Sequence, residues 1–150
     1  MDWLILFLAS WLLLLILVDW KRLKVNIWCG VMAVVMQLSV DTNFISHGFY
    51  EVQHKGICLL GSSALFVFGP VFVIGVLFAQ FHPVKRMLII LNVFVITGVY
   101  SVQELLLLKS GSLIYKNWHF IDSLLINIAA ITLLSWFSMI ILKKKGPYNC

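Results

Sequence analysis

The chain has 150 residues, 62% apolar and only 11% charged, with a net charge of +5 and a mean hydropathy of +1.03. Soluble domains carry about a quarter charged residues and under half apolar ones, so this balance excludes a water-soluble globule, a disordered chain and a disulfide scaffold. The 11 basic residues stand in small groups between long apolar runs, which is how membrane spans are punctuated. A nucleic-acid-binding face is not built that way, and no nucleic-acid partner is expected.

A helix needs about 20 mostly apolar residues to cross ~30 Å of hydrocarbon, and five stretches reach or approach that length. The first, Trp3 to Val18, is framed by Trp3, Trp11 and Trp20 as interfacial anchors. Its start is acidic (Asp2) and a basic cluster follows in place of a cleavage site, so it reads as an anchor inserted N-terminus outward and not as a leader. Asp19 then pairs locally with the basic turn. The second stretch runs from Val25 to Ile45 and the third from Ile57 to Phe81. Within the third, Gly61-Ser62-Ser63-Ala64 has the small residues of a helix contact, and Gly69-Pro70 predicts a kink. The fourth stretch covers Met87 to Leu108 and the fifth Phe120 to Leu142. The expected fold is a single all-α domain over residues 1–150, an integral membrane bundle of five transmembrane helices joined by short connections.

Lys21, Arg22, Lys24, Lys85, Arg86 and Lys143 to Lys145 fall on one side of such a bundle, against Lys55, Lys109 and Lys116 on the other. The positive-inside rule then places the N-terminus outside and the C-terminus in the cytoplasm, in a multi-pass protein of the cell membrane. Cys29, Cys58 and Cys150 lie at different depths without metal-ligand spacing and read as packing residues, not as a redox framework.

Ionisable groups inside a bilayer cost about 2.5–3.5 kcal/mol each on insertion scales, which makes them the place to look for function. Asp41 lies about one turn below the outer end of the second stretch, Glu104 about one turn below that of the fourth, and Asp122 in the first turn of the fifth. Gln37 and Asp41 share a helix face; Thr97, Tyr100 and Glu104 form one stripe with Gln103 at its edge; His119 shares a face with Asp122 and Ser123, and Ser123 with Asn127. Lipid satisfies none of these groups, so the stripes should face one another. The connections above supply His47, Glu51, His54, Tyr115 and Trp118. The candidate ligand-binding set is Asp41, Tyr100, Glu104, Trp118, His119 and Asp122. No catalytic set, metal set or cofactor is indicated: His119-x-x-Asp122 offers two ligands from one face, which Glu104 and Asp41 could join, but any bundle with few polar residues produces such a pair by chance, and the Gly-x-Ser-x-Gly elbow is absent. A plain packing network, a relay and a metal or catalytic centre are the competing uses of the same layer.

Asp19-Trp20-Lys21 after the first span, Asp41 late in the second, Tyr100 and Glu104 late in the fourth, then Gly111, Tyr115, Trp118 and Asn127 form an ordered set. This order resembles a family of small polytopic membrane proteins from Bacillus, Clostridium and related spore-forming bacteria, over about Val18 to Leu142. The chain has Val18 where that pattern has Gly, and Val25 or Asn26 where it has Pro. The resemblance implies a fold and a host class but no reaction, and it points to the outer segment from Tyr100 to Trp118.

These features favour a non-enzymatic role: binding or sensing of a cation, a small polar solute or a lipid headgroup by an outer-leaflet polar layer. An accessory or scaffold subunit of a larger membrane complex is the alternative, and a lipid-modifying enzyme the third reading. The expected partners are the lipid bilayer and a membrane protein or a second copy of the chain.

Overall fold

A computed structural model describes residues 2–140. The basic residues Lys143 to Lys145, Cys150 and the last two residues of the fifth apolar stretch lie outside the described residues. The described chain is mostly helical, with α1 over Asp2–Leu17, α2 over Leu23–Ser46, α3 over Ala64–Gln80, α4 over Arg86–Lys109 and α5 over Phe120–Ile140. Three of these, α2, α4 and α5, are long and apolar enough to cross a membrane, whereas α1 and α3 are shorter. Large apolar side chains such as Leu4, Leu8 and Leu12 on α1 and Leu91, Phe94 and Val95 on α4 face outward. An exterior this apolar suits lipid and not water.

The connections are more structured than an all-α chain with plain loops. Strand β1 (Tyr50–Val52) and strand β4 (Leu113–Tyr115) pair antiparallel, Tyr50 opposite Tyr115 and Val52 opposite Leu113. This pairing holds the α2–α3 and α4–α5 connections side by side at one end of the bundle. The start of α1 joins them there: Trp3 is buried with Val52, Leu107 and Leu113, and its indole Nε1 donates to the Gln53 carbonyl at 2.9 Å. Trp3 is therefore a core residue and not an interfacial anchor. At the opposite end Gln80 Nε2 donates to the Leu17 carbonyl at 2.7 Å and Gln80 Oε1 accepts from the Asp19 amide at 2.8 Å. The side chain of α3 thus satisfies a carbonyl at the C-terminus of α1, where the helix itself has no partner to offer. Asp19 also meets Arg22 at 3.6 Å and accepts from the Lys21 amide.

The third apolar stretch corrects the expectation most clearly. Residues 57–63 are not helical; strands β2 (Cys58–Leu59) and β3 (Ser62–Ser63) form a tight antiparallel turn, and the helix begins only at Ala64. Leu60 at φ 50° and Gly61 at φ 91° sit in the left-handed region, which no right-handed helix admits. The segment Gly61 to Ser63 is accordingly a turn and not a helix contact, and Cys58 is exposed instead of packed. The close helix contact lies elsewhere. A Cβ on Gly75 would stand 2.8 Å from Gly30 Cα and 2.9 Å from the Cys29 carbonyl oxygen, so α2 and α3 touch backbone to backbone. The Gly69-Pro70 pair is accommodated by a π-helical turn over Val67–Val71, which leaves room at Gly69 for Phe7 of α1. Below it Cys29, Phe78, Val93, Ile131 and Leu134 join α2 to α5 in one core.

Candidate functional site

Between α2 and α3 on one side and α4 and α5 on the other lies a cavity of about 110 Å³, several times the space one water needs. Its wall changes character along its length. Ala33, Ile74, Gly75, Ala130 and Leu134 form an apolar floor at mid-helix, the polar groups form a layer above it, and Trp3, Val52, Phe66, Leu107 and Leu113 close the strand end with apolar side chains. No Lys, Arg or His is among the lining residues.

Asp41 is 3% exposed and Glu104 lines the same cavity from α4. Asp41 Oδ1 accepts from Gln37 Nε2, one helical turn earlier, at 2.8 Å, and from the Tyr50 hydroxyl of β1 at 2.5 Å. The side-chain Oε1 of Gln37 then accepts from the Tyr100 hydroxyl at 2.7 Å, which ties α2 to α4. Glu104 Oε1 accepts from the Tyr115 hydroxyl of β4 at 2.6 Å and from the Ser123 hydroxyl; its Oε2 accepts from Asn127 Nδ2 at 3.2 Å. Burial and the Asp41 carboxylate push the Tyr50 phenol far above its ordinary value, and burial with the Glu104 hydrogen bond does the same to Tyr115. Both phenols therefore remain protonated donors across the physiological range.

Three polar atoms on this wall have no hydrogen-bond partner in the protein: Asp41 Oδ2, Gln103 Nε2 and Trp118 Nε1. Ser62 stands beside Asp41 yet leaves Oδ2 without a bond of proper geometry. A buried polar group left unsatisfied costs about 1–3 kcal/mol. Six further such atoms among the described residues, Asn26 Nδ2 and Thr97 Oγ1 included, lie away from this wall; what sets these three apart is that their residues share one cavity.

Of the six residues singled out from the sequence, Asp41, Tyr100, Glu104 and Trp118 meet at this cavity. His119 and Asp122 are not among its lining. Their rings and carboxylates pair with each other at 3.5 Å on the surface, with 86% and 47% of the side chains exposed. Trp118 instead packs on Phe44, Phe49 and Tyr50. Sequence spacing missed Tyr50 and Ser62, because no helical period connects a strand or a turn to the stripe it closes. Among the described residues no group of three or more His, Cys, Asp or Glu is placed to hold a metal. No protein-family model matches the chain, and no curated protein or solved structure is significantly similar to it.

Proposed function

We propose that the chain is a five-span protein of the cytoplasmic membrane, N-terminus outside and C-terminus inside, whose outer-leaflet pocket binds a cation, a small polar solute or a lipid headgroup. The role is one of binding or sensing. One observation carries the reading: two carboxylates on different helices open on one cavity whose lining holds no basic residue. Neutral donors satisfy Glu104 on both oxygens, whereas Asp41 keeps one oxygen free for a positively charged or donating guest. The distribution of charge supports the orientation, since the end with the paired strands carries Lys55, Lys109 and Lys116 and the other end the Lys21 to Lys24 and Lys85-Arg86 groups.

The test is the thermal stability of purified wild type and Glu104→Gln against a panel of cations, small solutes and lipids. A guest that binds only the folded protein, at 100 times its dissociation constant, adds about 2.7 kcal/mol. A stabilisation of wild type by one guest that Glu104→Gln loses supports the pocket as a site. If no guest moves either protein and the variant is merely less stable, the carboxylates serve only to knit α2, α4 and α5 together, and the proposal fails.

A further inference from the structure

Resting on that reading of the pocket, we infer that its guest is an amphiphile: an ammonium bearing N–H, an acceptor oxygen beside it, and an apolar tail. The unpartnered atoms define the head. Asp41 Oδ2, on a residue only 3% exposed, is a carboxylate oxygen that lacks a donor, while Gln103 Nε2 and Trp118 Nε1 on the same cavity lack acceptors. The complement of one free acceptor and two free donors is a group that carries both kinds of atom. A bare metal ion would satisfy the carboxylate and leave the two N–H groups orphaned. A quaternary ammonium has no hydrogen to give Asp41. An anionic head alone would meet two carboxylates and no basic side chain.

The rest of the cavity defines the tail. Along α2 the lining runs from Asp41 to Ala33, eight residues or about 12 Å of helix, and along α5 from Ser123 to Leu134, about 16 Å. Only the first turns of these faces are polar; beyond Gln37 and Asn127 the wall is Ala33, Ala130, Ile131 and Leu134, closed by Ile74 and Gly75 of α3. A small hydrated solute gains nothing from that depth, whereas an alkyl chain entering it is removed from water or replaces loosely packed space.

The experiment uses the full chain in an uncharged detergent and glycine alkyl esters from ethyl to decyl, which join an ammonium, an ester oxygen and a tail of chosen length. Affinity, followed by thermal shift, should rise about fourfold per methylene and then level off where the tail meets the floor. Ala130→Leu should bring that plateau to a shorter chain, and comparison with it removes partition into detergent from the measurement. The near-isosteric Asp41→Asn should weaken every ester about tenfold or more without changing the slope, as should the matching betaine esters. Addition of phosphatidylethanolamine or phosphatidylcholine distinguishes the source: a shift with the first alone identifies a lipid of the bilayer, and a shift with the esters alone a free amphiphile. Affinity that ignores tail length and Ala130→Leu overturns the inference and leaves a small-cation site standing. Equal response to the N–H and quaternary heads overturns it through the head. No shift with any guest removes both the inference and the site.

Discussion

Replacing Gly75 by alanine tests the helix contact on which the pocket rests. The new methyl would lie 2.8 Å from Ala33 Cβ, 2.8 Å from Gly30 Cα and 2.9 Å from the Cys29 carbonyl oxygen. Two of these three are backbone atoms, so no side chain can swing aside. Carbon atoms pack best at about 3.5–4.0 Å, and relief requires α2 and α3 to part by about 1 Å, enough to forfeit a quarter to a half of the dispersion energy along the seam. Overpacking of this kind costs about 1–3 kcal/mol. Gly98 on α4 is the internal control, since a Cβ there meets nothing within 4 Å. Gly98→Ala removes a mid-helix glycine without a clash and should be neutral or stabilising by up to about 1 kcal/mol. Unfolding in mild detergent, by heat or by graded addition of a denaturing detergent, reads both variants against wild type. A Gly75→Ala protein as stable as wild type, or a Gly98→Ala protein as damaged as Gly75→Ala, would refute the close approach of α2 and α3.

The exposed connections yield further predictions. Hydrogen bonding and charge from Lys116, 2.7 Å away, hold the Glu51 carboxyl below its usual range. Its contribution is therefore complete above the ordinary glutamate value, near pH 4.3, and is lost as pH falls through the depressed folded value; Glu51→Gln should flatten that acid limb of the stability profile. In a Cys150→Ser background, a membrane-impermeant maleimide should label exposed Cys58 in intact cells and spare the fully buried Cys29; labelling that requires permeabilised cells would invert the proposed orientation. Trp3→Phe, which deletes the 2.9 Å bond to the Gln53 carbonyl, should destabilise the strand end by about 1 kcal/mol, seen as a lower unfolding temperature.

The sequence reveals what lies along one helix and hides what crosses between segments. Gln37 and Asp41 are bonded, and Ser123 and Asn127 both reach Glu104, because a spacing of four repeats on one helical face. Tyr50 reaches Asp41 only because β1 pairs with β4 more than 60 residues away, a register that apolar periodicity does not encode. Hydropathy extends the third span back to Ile57 since Ile57, Cys58, Leu59 and Leu60 are apolar, but it carries no information about the positive φ values that turn the backbone there. Gly75 and Ala79 make a small-xxx-small pair on α3, but Gly30 has Asn26 and Val34 four residues away, so which helix Gly75 meets shows only once the two helices are placed. His119 and Asp122 satisfy the spacing rule, yet they pair at the surface because in the first turn of α5 it is Ser123 that faces the cavity, while Asp122 is half-exposed and the preceding His119 exposed.

The unequal helix lengths have a consequence for the surrounding bilayer. Sixteen residues of α1 rise about 24 Å, and α3, packed beside it, is hardly longer, whereas the 24 residues of α4 rise about 36 Å. Trp3 and Gln80 fasten the neighbourhood of both ends of α1 to other segments, so α1 is poorly able to tilt or slide independently to suit a thick membrane. In the proposed five-span arrangement it is the lipid that must adapt. Leaflets beside α1 and α3 would then be compressed by several ångströms while those beside α4 are not, at a fraction of a kcal/mol per ångström. A five-span protein of this build would deform its membrane on one flank only and gather where the bilayer is already thin.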